Sequence, residues 1–315
     1  MDLELIGLAD LQGIVTPRLA REAVVRSLRA LAEGRTVLPD AMSLEVERGD
    51  VHVKGAYLDG SAYLGFKVAS GFPGNANLGL AVNDGFSVAL NATTGRPEAL
   101  LLDSGWLTQM RTGAAGALAA DLLARPDASR VALVGAGEQA AFQLAALREV
   151  REIREVYVWS RTARRAQQFA ATHNDDVLRV VAVDTIESAV SNADIVVTVT
   201  ASHQPLLEAG WLRPGTHITA VGSDTVGKRE LASSVLARAD LLVADRLEVC
   251  REVGELQYLA EVRALSPVVE FADLITGRVQ GRSDARQLTV IDQCGLGIYD
   301  ASLIDLVMTT IRSTR

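Results

Sequence analysis

The spacing of apolar residues predicts a first region of mixed helix and strand. Thr16 supplies a helix N-cap, apolar side chains then recur on one helical face, and Gly34 ends the pattern. Short strand-like runs between residues 51 and 90 are separated by turn sequences such as Asp59-Gly60, which predicts an antiparallel or mixed sheet. An Ala-rich helix is expected next, over residues 108–124.

From residue 130 onward the pattern changes to short, nearly continuous apolar runs that alternate with helical segments. This rhythm is typical of parallel strands that are buried on both faces and joined by crossover helices. The predicted strands are VALVG (131–135), VYVWS (156–160), ADIVVTVT (193–200), THITAVG (216–222), ADLLVAD (239–245) and a sixth at 288–292.

Two domains are expected, because 315 residues exceed what one hydrophobic core usually organises. The last apolar-faced helix, residues 296–312, is expected to pack back onto the first region. We therefore predict an α/β protein in which a doubly wound parallel sheet of the Rossmann type spans residues 119–295. Residues 1–118 and 296–315 are predicted to form a discontinuous α+β domain.

Composition and charge exclude several classes of function. A formal charge of -8 and a pI near 5.2 disfavour a nucleic-acid partner. Because no apolar run reaches eighteen residues and no basic leader precedes the first helix, we expect no membrane partner and a cytoplasmic location. Cys250 and Cys294 form no CxxC pair and the histidines lack ligand spacing, so neither a disulfide nor a metal site is predicted.

The strongest chemical signal is a glycine motif between the first strand and the first helix of the second region. Gly135, Gly137 and Ala140 fit G-x-G-x-x-A, which allows a tight turn, close approach of a pyrophosphate and close helix packing. Together with Glu138 and Gln139 they open a helix whose amide groups and dipole would face an anion. The motif predicts dinucleotide binding, and a tight strand-to-helix turn without a ligand is the alternative interpretation.

The end of the second strand indicates which dinucleotide is preferred. Sites for NAD(H) usually place an acidic residue about twenty residues beyond the motif, where it holds the ribose hydroxyls. Ser160, Arg161 and Thr162 stand there instead, and a guanidinium with two hydroxyls suits a 2'-phosphate. NADP(H) is therefore favoured over NAD(H). The alternative is that Arg161 is a solvated residue at a strand end.

Several longer segments make the chain resemble the ornithine cyclodeaminase and mu-crystallin family of imine-handling, nicotinamide-dependent proteins. The segments are GFKVASGFPGN (65–75), the turn TGRP (94–97), LLDSGWLTQMRTGAAGA (101–117), VGAGEQA (134–140), VWSRT (158–162), GSDTVGKRE (222–230) and GLGIYD (295–300). The resemblance covers nearly the whole chain. It implies that the discontinuous domain binds substrate and mediates dimerisation, and that the protein is a homodimer.

The resemblance also implies roles for individual residues. Lys67 is expected to bind the substrate carboxylate, Arg111 to lie by the substrate and the cofactor phosphates, and Asp224 to act as the acid or base at the reacting nitrogen. The chemistry fits, because an α-carboxylate needs a fixed cation and an imine accepts hydride readily only when it is protonated. Without the resemblance, Lys67 would be read as a solvated strand residue and Asp224 as a turn former.

Further positions are expected at the pocket. Gln293 and Cys294 match the place where the family reaches the nicotinamide and the substrate, and Cys294 is interpreted as a pocket wall, not a nucleophile. The remaining positions assigned to the cofactor stand at the carboxyl ends of predicted strands, and they are Thr200, Ala201, Val221 and Gly222.

Two departures from the family pattern bear on the substrate. An arginine that helps hold the amino-acid carboxylate in ornithine cyclodeaminases aligns with Ala41, and Lys54 is a candidate replacement that would also bind substrate. Val82 stands where relatives commonly place Thr or Ser against the cofactor. Both departures argue against ornithine as the substrate.

Three functions remain open. We favour an NADP(H)-dependent reductase or dehydrogenase that interconverts a small 2-imino acid with its amino acid. A cyclodeaminase, in which the cofactor is oxidised and reduced within one turnover, is the second. A crystallin-like protein that binds nucleotide but has little activity is the third.

Overall fold

The computed structural model describes residues 3–262 and 266–314, so the outermost positions of the first predicted domain lie outside it. The chain divides into two compact units, Met1–Arg111 with Leu296–Arg315, and Thr112–Gly295. The division at 111/112 falls earlier than the boundary predicted at 118/119, and both positions lie within one continuous helix, Trp106–Leu123. A helix that continues through a boundary gives no break in the sequence pattern from which to place it.

The first unit begins with short elements and continues into long antiparallel strands. Thr16 caps the second helix as predicted, because its Oγ1 accepts a hydrogen bond of 3.1 Å from the amide of Leu19. In chain order the elements are β1 (Glu4–Gly7), α1 (Leu8–Ile14), α2 (Pro17–Ala32), β2 (Thr36–Val37), β3 (Met42–Val46), β4 (Gly49–Leu58), β5 (Tyr63–Gly71), β6 (Asn83–Asn91), β7 (Pro97–Leu102) and α3 (Trp106–Leu123).

The strands of this unit form one mixed sheet in the order β1-β7-β6-β5-β4-β2, with β3 also paired to β4. The β1–β7 pair is parallel and the other pairs are antiparallel. In this register Lys67 on β5 lies between Ser87 on β6 and Lys54 on β4, so all three side chains share one face of the sheet. That face is the buried one at Lys67 and Ser87.

The second unit alternates strands and helices as its sequence pattern predicts. Six of the strands match the predicted runs, whereas four further short strands, at residues 179–182, 203–207, 229–231 and 268–270, were not predicted. The elements are β8 (Arg130–Val134), α4 (Glu138–Arg148), β9 (Glu155–Trp159), α5 (Ala163–His173), β10 (Arg179–Ala182), α6 (Ile186–Val190), β11 (Ile195–Thr198), β12 (His203–Leu207), β13 (His217–Ala220), β14 (Arg229–Leu231), α7 (Ser233–Arg238), β15 (Leu241–Ala244), α8 (Leu247–Val253), β16 (Val268–Glu270), α9 (Phe271–Ile275) and β17 (Thr289–Asp292).

Eight of these strands form a parallel sheet in the order β10-β9-β8-β11-β13-β17-β15-β16. The chain enters at β8, runs outward to β10 and then crosses back to β11 on the other side of β8. Ligands of open α/β sheets bind at such a reversal, outside the carboxyl ends of the strands. The predicted α/β fold with a doubly wound parallel sheet is confirmed. A separate two-stranded sheet pairs β12 with β14.

The last helix, α10 (Gly297–Ser313), belongs to the first unit and packs against β4, β5 and α2. The helix lies close to the sheet because glycines of the sheet face it. A Cβ added at Gly65 would lie 2.6 Å from the Cα of Ala301. The opposite face of the same sheet carries exposed apolar side chains, among them Leu5, Phe66, Phe86 and Leu102. We call these four residues the outer apolar face. Within the described ranges, no helix is both long and apolar enough to cross a membrane.

Candidate functional site

The glycine motif forms a turn whose geometry fits a bound pyrophosphate. Gly135 has a φ of +121°, which favours glycine, and a Cβ there would lie 2.8 Å from the carbonyl oxygen of Val199. A Cβ at Gly137 would meet nothing within 4 Å, so the space in front of the motif is open. Helix α4 begins directly after Gly137, and its first amide groups and dipole give this space a preference for anions.

Two buried polar atoms near the carboxyl ends of β8 and β17 lack a hydrogen-bond partner among the described residues. They are Gln139 Nε2 and Gln293 Oε1. Buried polar atoms are rarely left without a partner, so these positions indicate that a polar ligand binds at this edge of the sheet and supplies the missing hydrogen bonds. Gln293 is held in place by its Nε2, which donates a 3.3 Å hydrogen bond to the carbonyl of Thr112. The residues present therefore fit a dinucleotide.

The predicted cofactor residues of this unit gather at one edge of the parallel sheet. Gly135 follows β8, Ser160 follows β9, Thr200 and Ala201 follow β11, Val221 and Gly222 follow β13, and Gln293 follows β17. Backbone hydrogen bonds tie these ends together, including Gly135 to Trp159 at 2.9 Å and Val221 to Thr198 at 2.9 Å. Arg161 and Thr162 are exposed at the start of α5.

In the first unit, two buried cations converge on one buried carboxylate. Arg111 Nε lies 3.0 Å from Asp300 Oδ1, and Lys67 Nζ lies 3.6 Å from Asp300 Oδ2. Their exposed fractions are 4% for Arg111, 6% for Lys67 and 5% for Asp300. The strand β5, the helix α3 and the helix α10 supply one group each. We refer to Lys67, Arg111 and Asp300 as the Asp300 cluster.

The pKa values of the Asp300 cluster follow from burial and from the balance of charge. Burial lowers the pKa of Lys67 to about 7, with Arg111 and Lys54 adding to the decrease while Asp300 opposes it. Burial alone would raise the pKa of Asp300, but Arg111, Lys67 and Lys54 together hold it below its usual value. The cluster and Lys54 thus place three basic side chains around one carboxylate, an arrangement that favours a second anion.

A second carboxyl group lies beside this cluster. Burial raises the pKa of Asp103 to about 6, and Asp300 adds to the increase. Asp103 Oδ2 accepts a hydrogen bond of 2.9 Å from the amide of Leu107, in the first turn of α3. Asp103 therefore fixes the start of the helix that carries Arg111.

The two departures from the family pattern lie at exposed positions of the first unit. Ala41 is exposed immediately before β3, and Val82 is 37% exposed before β6. Lys54 shares the face of Lys67 and is its register partner on the neighbouring strand. This pairing is consistent with the prediction that Lys54 replaces the missing arginine.

Asp224 lies in the second unit, in the loop that follows β13, close in the chain to Gly222. Its Oδ1 accepts a 2.6 Å charge-assisted hydrogen bond from Lys228 Nζ, and half of its side chain is exposed. Thr225 Oγ1 also donates to Asp224 Oδ1, at 3.3 Å. A partly exposed carboxylate beside an ammonium is a group that can exchange protons with a ligand and with solvent.

The two cysteines, distant in sequence, are neighbours in the core of the second unit. The Sγ atoms of Cys250 and Cys294 are 3.6 Å apart, and Cys294 Sγ lies 3.9 Å from Asp292 Oδ1. Burial raises the pKa of Cys250 to about 11. The hydrogen bond between the two thiols, together with burial, raises the pKa of Cys294. Two protonated, buried thiols agree with the interpretation of Cys294 as a wall and not a nucleophile.

Sequence reasoning assigned no role to Asp300 or to Glu230, although both lie in motifs that carried the family resemblance. Asp300 closes GLGIYD and Glu230 closes GSDTVGKRE. Both are almost fully buried, and each binds groups that are distant in the chain. An acidic residue at the end of a motif shared with the family is the sequence signal that could have identified them.

Comparison with known proteins extends over the whole chain. The family model described as the ornithine cyclodeaminase/mu-crystallin family matches residues 11–315. An ornithine cyclodeaminase of Brucella suis biovar 1 is 35% identical over 258 residues, which are 81% of this chain and 70% of that protein.

Two solved structures share the fold of this chain. An archaeal alanine dehydrogenase dimer with bound NAD is 32% identical with a TM-score of 0.92, covering 100% of this chain and 97% of its own. The Delta(1)-pyrroline-2-carboxylate reductase of Thermococcus litoralis, in complex with NADH and L-proline, is 29% identical with a TM-score of 0.91. The match covers 99% of this chain and 98% of the reductase chain. The likeness therefore includes both units.

Proposed function

The chain belongs to the ornithine cyclodeaminase/mu-crystallin family, and we propose that it is an NAD(P)H-dependent oxidoreductase that interconverts a small 2-imino acid with its amino acid. The observation that carries the proposal is the Asp300 cluster, a buried pair of cations that converge on one carboxylate in the first unit. The open glycine turn at α4 in the second unit supports the nucleotide half of the proposal.

Each residue has a separate task in this reaction. Lys67 and Arg111 bind the carboxylate of the substrate, while Asp300 keeps both cations oriented and limits their repulsion. Asp224 donates a proton to the imine nitrogen in the direction of reduction and accepts it in the direction of oxidation. The bound nicotinamide nucleotide supplies or accepts the hydride.

The nucleotide is held by backbone and side chains of the second unit. The amides around Gly137 bind the pyrophosphate, and Gln293 supplies a buried carbonyl oxygen for a hydrogen-bond donor of the cofactor. Ser160, Arg161 and Thr162 bind a 2'-phosphate, so the proposal includes a preference for NADP(H) over NAD(H). The similar alanine dehydrogenase and pyrroline-2-carboxylate reductase structures contain NAD and NADH, which supports a nicotinamide nucleotide of either kind.

The proposal also includes a homodimer in the cytoplasm. The outer apolar face places four exposed apolar side chains on one side of the sheet, and contiguous apolar faces on soluble proteins mark interaction sites. The similar archaeal alanine dehydrogenase is a dimer. We infer that a second copy of the chain covers this face.

A cyclodeaminase is the second candidate, favoured by the similarity to the ornithine cyclodeaminase of Brucella suis. The position aligned with the carboxylate-binding arginine of those enzymes is Ala41, which argues against ornithine. Net consumption of the nucleotide separates the two candidates, because a cyclodeaminase regenerates its cofactor in every turnover.

The test is a screen of imines formed from 2-keto acids with ammonia or methylamine, together with preformed cyclic imines, in which loss of NADPH or NADH absorbance is followed. The proposal expects net nucleotide oxidation with at least one imine and none with the keto acid alone. Ring closure of a diamino acid without net oxidation would instead establish the cyclodeaminase. Tight nucleotide binding with neither activity would identify a nucleotide-binding protein of the crystallin type.

A further inference from the structure

One buried carboxylate joins the starts of two loops at the carboxyl edge of the parallel sheet. Glu230 Oε1 accepts hydrogen bonds from the amide of Thr200 at 2.6 Å and from its hydroxyl at 2.7 Å. Glu230 Oε2 accepts a hydrogen bond from the amide of Gly222 at 2.8 Å. Each oxygen therefore serves a different loop, one leaving β11 and the other leaving β13.

The topology explains why a single side chain can reach both loops. Residues 199–202 connect β11 to β12, and residues 221–228 connect β13 to β14, so both loops run from the large parallel sheet to the small one. Glu230 lies on β14 and points back to the beginning of both connections. The loops are tightly apposed, since a Cβ added at Gly222 would lie 2.1 Å from the carbonyl oxygen of Thr200.

A second carboxyl group holds Glu230 in place. Glu255 Oε1 accepts a 2.7 Å hydrogen bond from the amide of Glu230, and Glu255 Oε2 accepts one of 3.0 Å from the amide of Leu231. Glu230 and Glu255 both have an exposed fraction of 0%. Glu255 thus fixes the backbone of Glu230, and the side chain of Glu230 fixes the backbone of the two loops. Buried polar networks of this kind restrict a structure to one arrangement when every member is satisfied.

We propose that Glu230 is the positioning residue of the nucleotide site, acting through the backbone of Thr200 and Gly222 and not by contact with the cofactor. The inference rests on the proposed function, in which these two loops line the nucleotide. Both amides and the Thr200 hydroxyl donate to Glu230, so the starts of the two loops are held at a fixed spacing. Preorganised groups bind a ligand without the cost of ordering the loops.

The test compares Glu230→Gln with Asp194→Asn. The amide of Gln has one acceptor oxygen and one NH2 group, so it can satisfy only one of the two loops. Asp194 is the control because it is buried, accepts backbone amides of Ser129 at 3.2 Å and Arg130 at 3.1 Å, and lies just before β11, at the opposite edge of the sheet. It also pairs with the guanidinium groups of Arg125 and Arg130, so its loss should destabilise the fold at least as strongly. Both variants lose buried hydrogen bonds, but only the first disturbs the loops.

We expect Glu230→Gln to raise the Kd for NADPH and NADH by about tenfold or more, measured by nucleotide fluorescence. The KM for nucleotide should rise by a similar factor, while the KM for the imine stays near the wild-type value. Asp194→Asn should lower the Tm but leave the nucleotide Kd unchanged. If Glu230→Gln does not fold, Glu230→Asp keeps the carboxyl group and shortens the reach by one methylene, so it should give the same rise in Kd.

Two results would overturn this inference. One is a variant of Glu230 that folds and binds nucleotide as tightly as the wild type. The other is an equal rise in Kd for Asp194→Asn and Glu230→Gln, which would indicate general destabilisation. A wild-type protein that binds no nucleotide would instead reject the proposed function, and the inference with it.

Discussion

Lys67 on β5 and Asp300 on α10 form a buried ion pair, with 3.6 Å between Nζ and Oδ2. Asp300 also accepts a hydrogen bond from Arg111, so one carboxylate orients both cations of the proposed substrate site. The pair joins an early strand of the chain to its last helix. Burial of the lysine lowers its pKa to about 7, which places the charge of the site under the control of pH.

Binding of a carboxylate is predicted to weaken as the pH rises through about 7, because Lys67 then loses its proton and its charge. The measurement is the inhibition constant of a simple monocarboxylate such as propionate, followed from about pH 6 to 9 at constant ionic strength. Propionate does not titrate in this range, so the change reports the protein.

Two variants control this experiment. Lys67→Arg keeps its charge at all these pH values and should bind propionate with little pH dependence. Asp300→Asn removes the charge that supports the ammonium, so the inflection should move to lower pH. A wild-type profile that is flat between pH 6 and 9 would show that Lys67 is not the group that binds the carboxylate.

Replacement of Asp224 by Asn is predicted to reduce turnover by about a hundredfold or more, because the imine nitrogen loses its proton donor. The Kd for NADPH should change little, since the substitution preserves the size of the side chain. Steady-state rates with the best imine and fluorescence titration with NADPH measure the two effects separately. Asp176→Asn, at an exposed aspartate of the same unit, is the control and should retain full activity. An Asp224→Asn enzyme with wild-type turnover would remove Asp224 from the mechanism.

Arg161→Ala is predicted to raise the KM for NADPH by about tenfold or more while leaving the KM for NADH unchanged, because charge-assisted hydrogen bonds to the 2'-phosphate are lost. Arg164→Ala, on the exposed part of α5 in the same region, controls for the loss of a positive charge. Parallel initial-rate measurements with both nucleotides give the ratio directly. A wild-type preference for NADH, or equal effects of the two substitutions, would contradict the assignment of Ser160 to Thr162.

Phe86→Glu is predicted to convert a homodimer into a monomer of 33.5 kDa, because a buried glutamate on the outer apolar face would lack a partner. Size-exclusion chromatography with light scattering measures the mass. Val177→Glu introduces the same charge at a residue of the second unit that is 73% exposed, and it should leave the mass unchanged. A wild-type protein that is already monomeric at micromolar concentration would refute the prediction.

The contribution of Glu255 to stability is predicted to fall as the pH rises from about 5 to 8, because burial raises the pKa of this carboxyl group to about 8. A carboxyl group whose folded pKa lies above its unfolded pKa stabilises the fold while it is protonated, and that contribution is lost as the pH passes the folded pKa. The limiting slope for one proton is about 1.4 kcal/mol per pH unit. Asp292, whose pKa burial raises to about 7, adds to the same trend.

Thermal denaturation of the wild type and of Glu255→Gln at several pH values tests this prediction. The variant should show a smaller decrease in Tm with rising pH, because Gln does not ionise. An equal change in Tm with pH for the wild type and for Glu255→Gln would mean that Glu255 is ionised in the folded protein without penalty.

Local features of the fold and site could be predicted because their determinants are adjacent in sequence. The cap at Thr16, the buried strands from β8 onward and the turn at Gly135 each depend on a few neighbouring residues. The edge strand Arg179–Ala182 escaped prediction because it starts with an exposed arginine and is only partly buried, so it lacks the continuous apolar character of the central strands. The roles of Lys67, Arg111 and Asp224 came from the family resemblance and stay predictions.

Contacts between distant segments could not be predicted. Nothing near Asp300 in the sequence indicates that it receives Arg111 and Lys67. Cys250 and Cys294 are likewise brought to 3.6 Å by the adjacent positions of α8 and β17, which spacing alone does not reveal. These pairings depend on the order of strands and the packing of helices, and so they emerge only from the folded chain.

The packing of the last helix, α10, on strands from early in the chain affects the order in which the protein can fold during translation. Strands β4 and β5 leave the ribosome long before the helix that covers them, and the close contact of Gly65 with Ala301 cannot form until that helix emerges. Residues 112–295 can meanwhile complete their own parallel sheet. The surface of β4 and β5 that α10 covers therefore stays exposed until translation nears its end, and exposed apolar surface of this kind favours association with other chains.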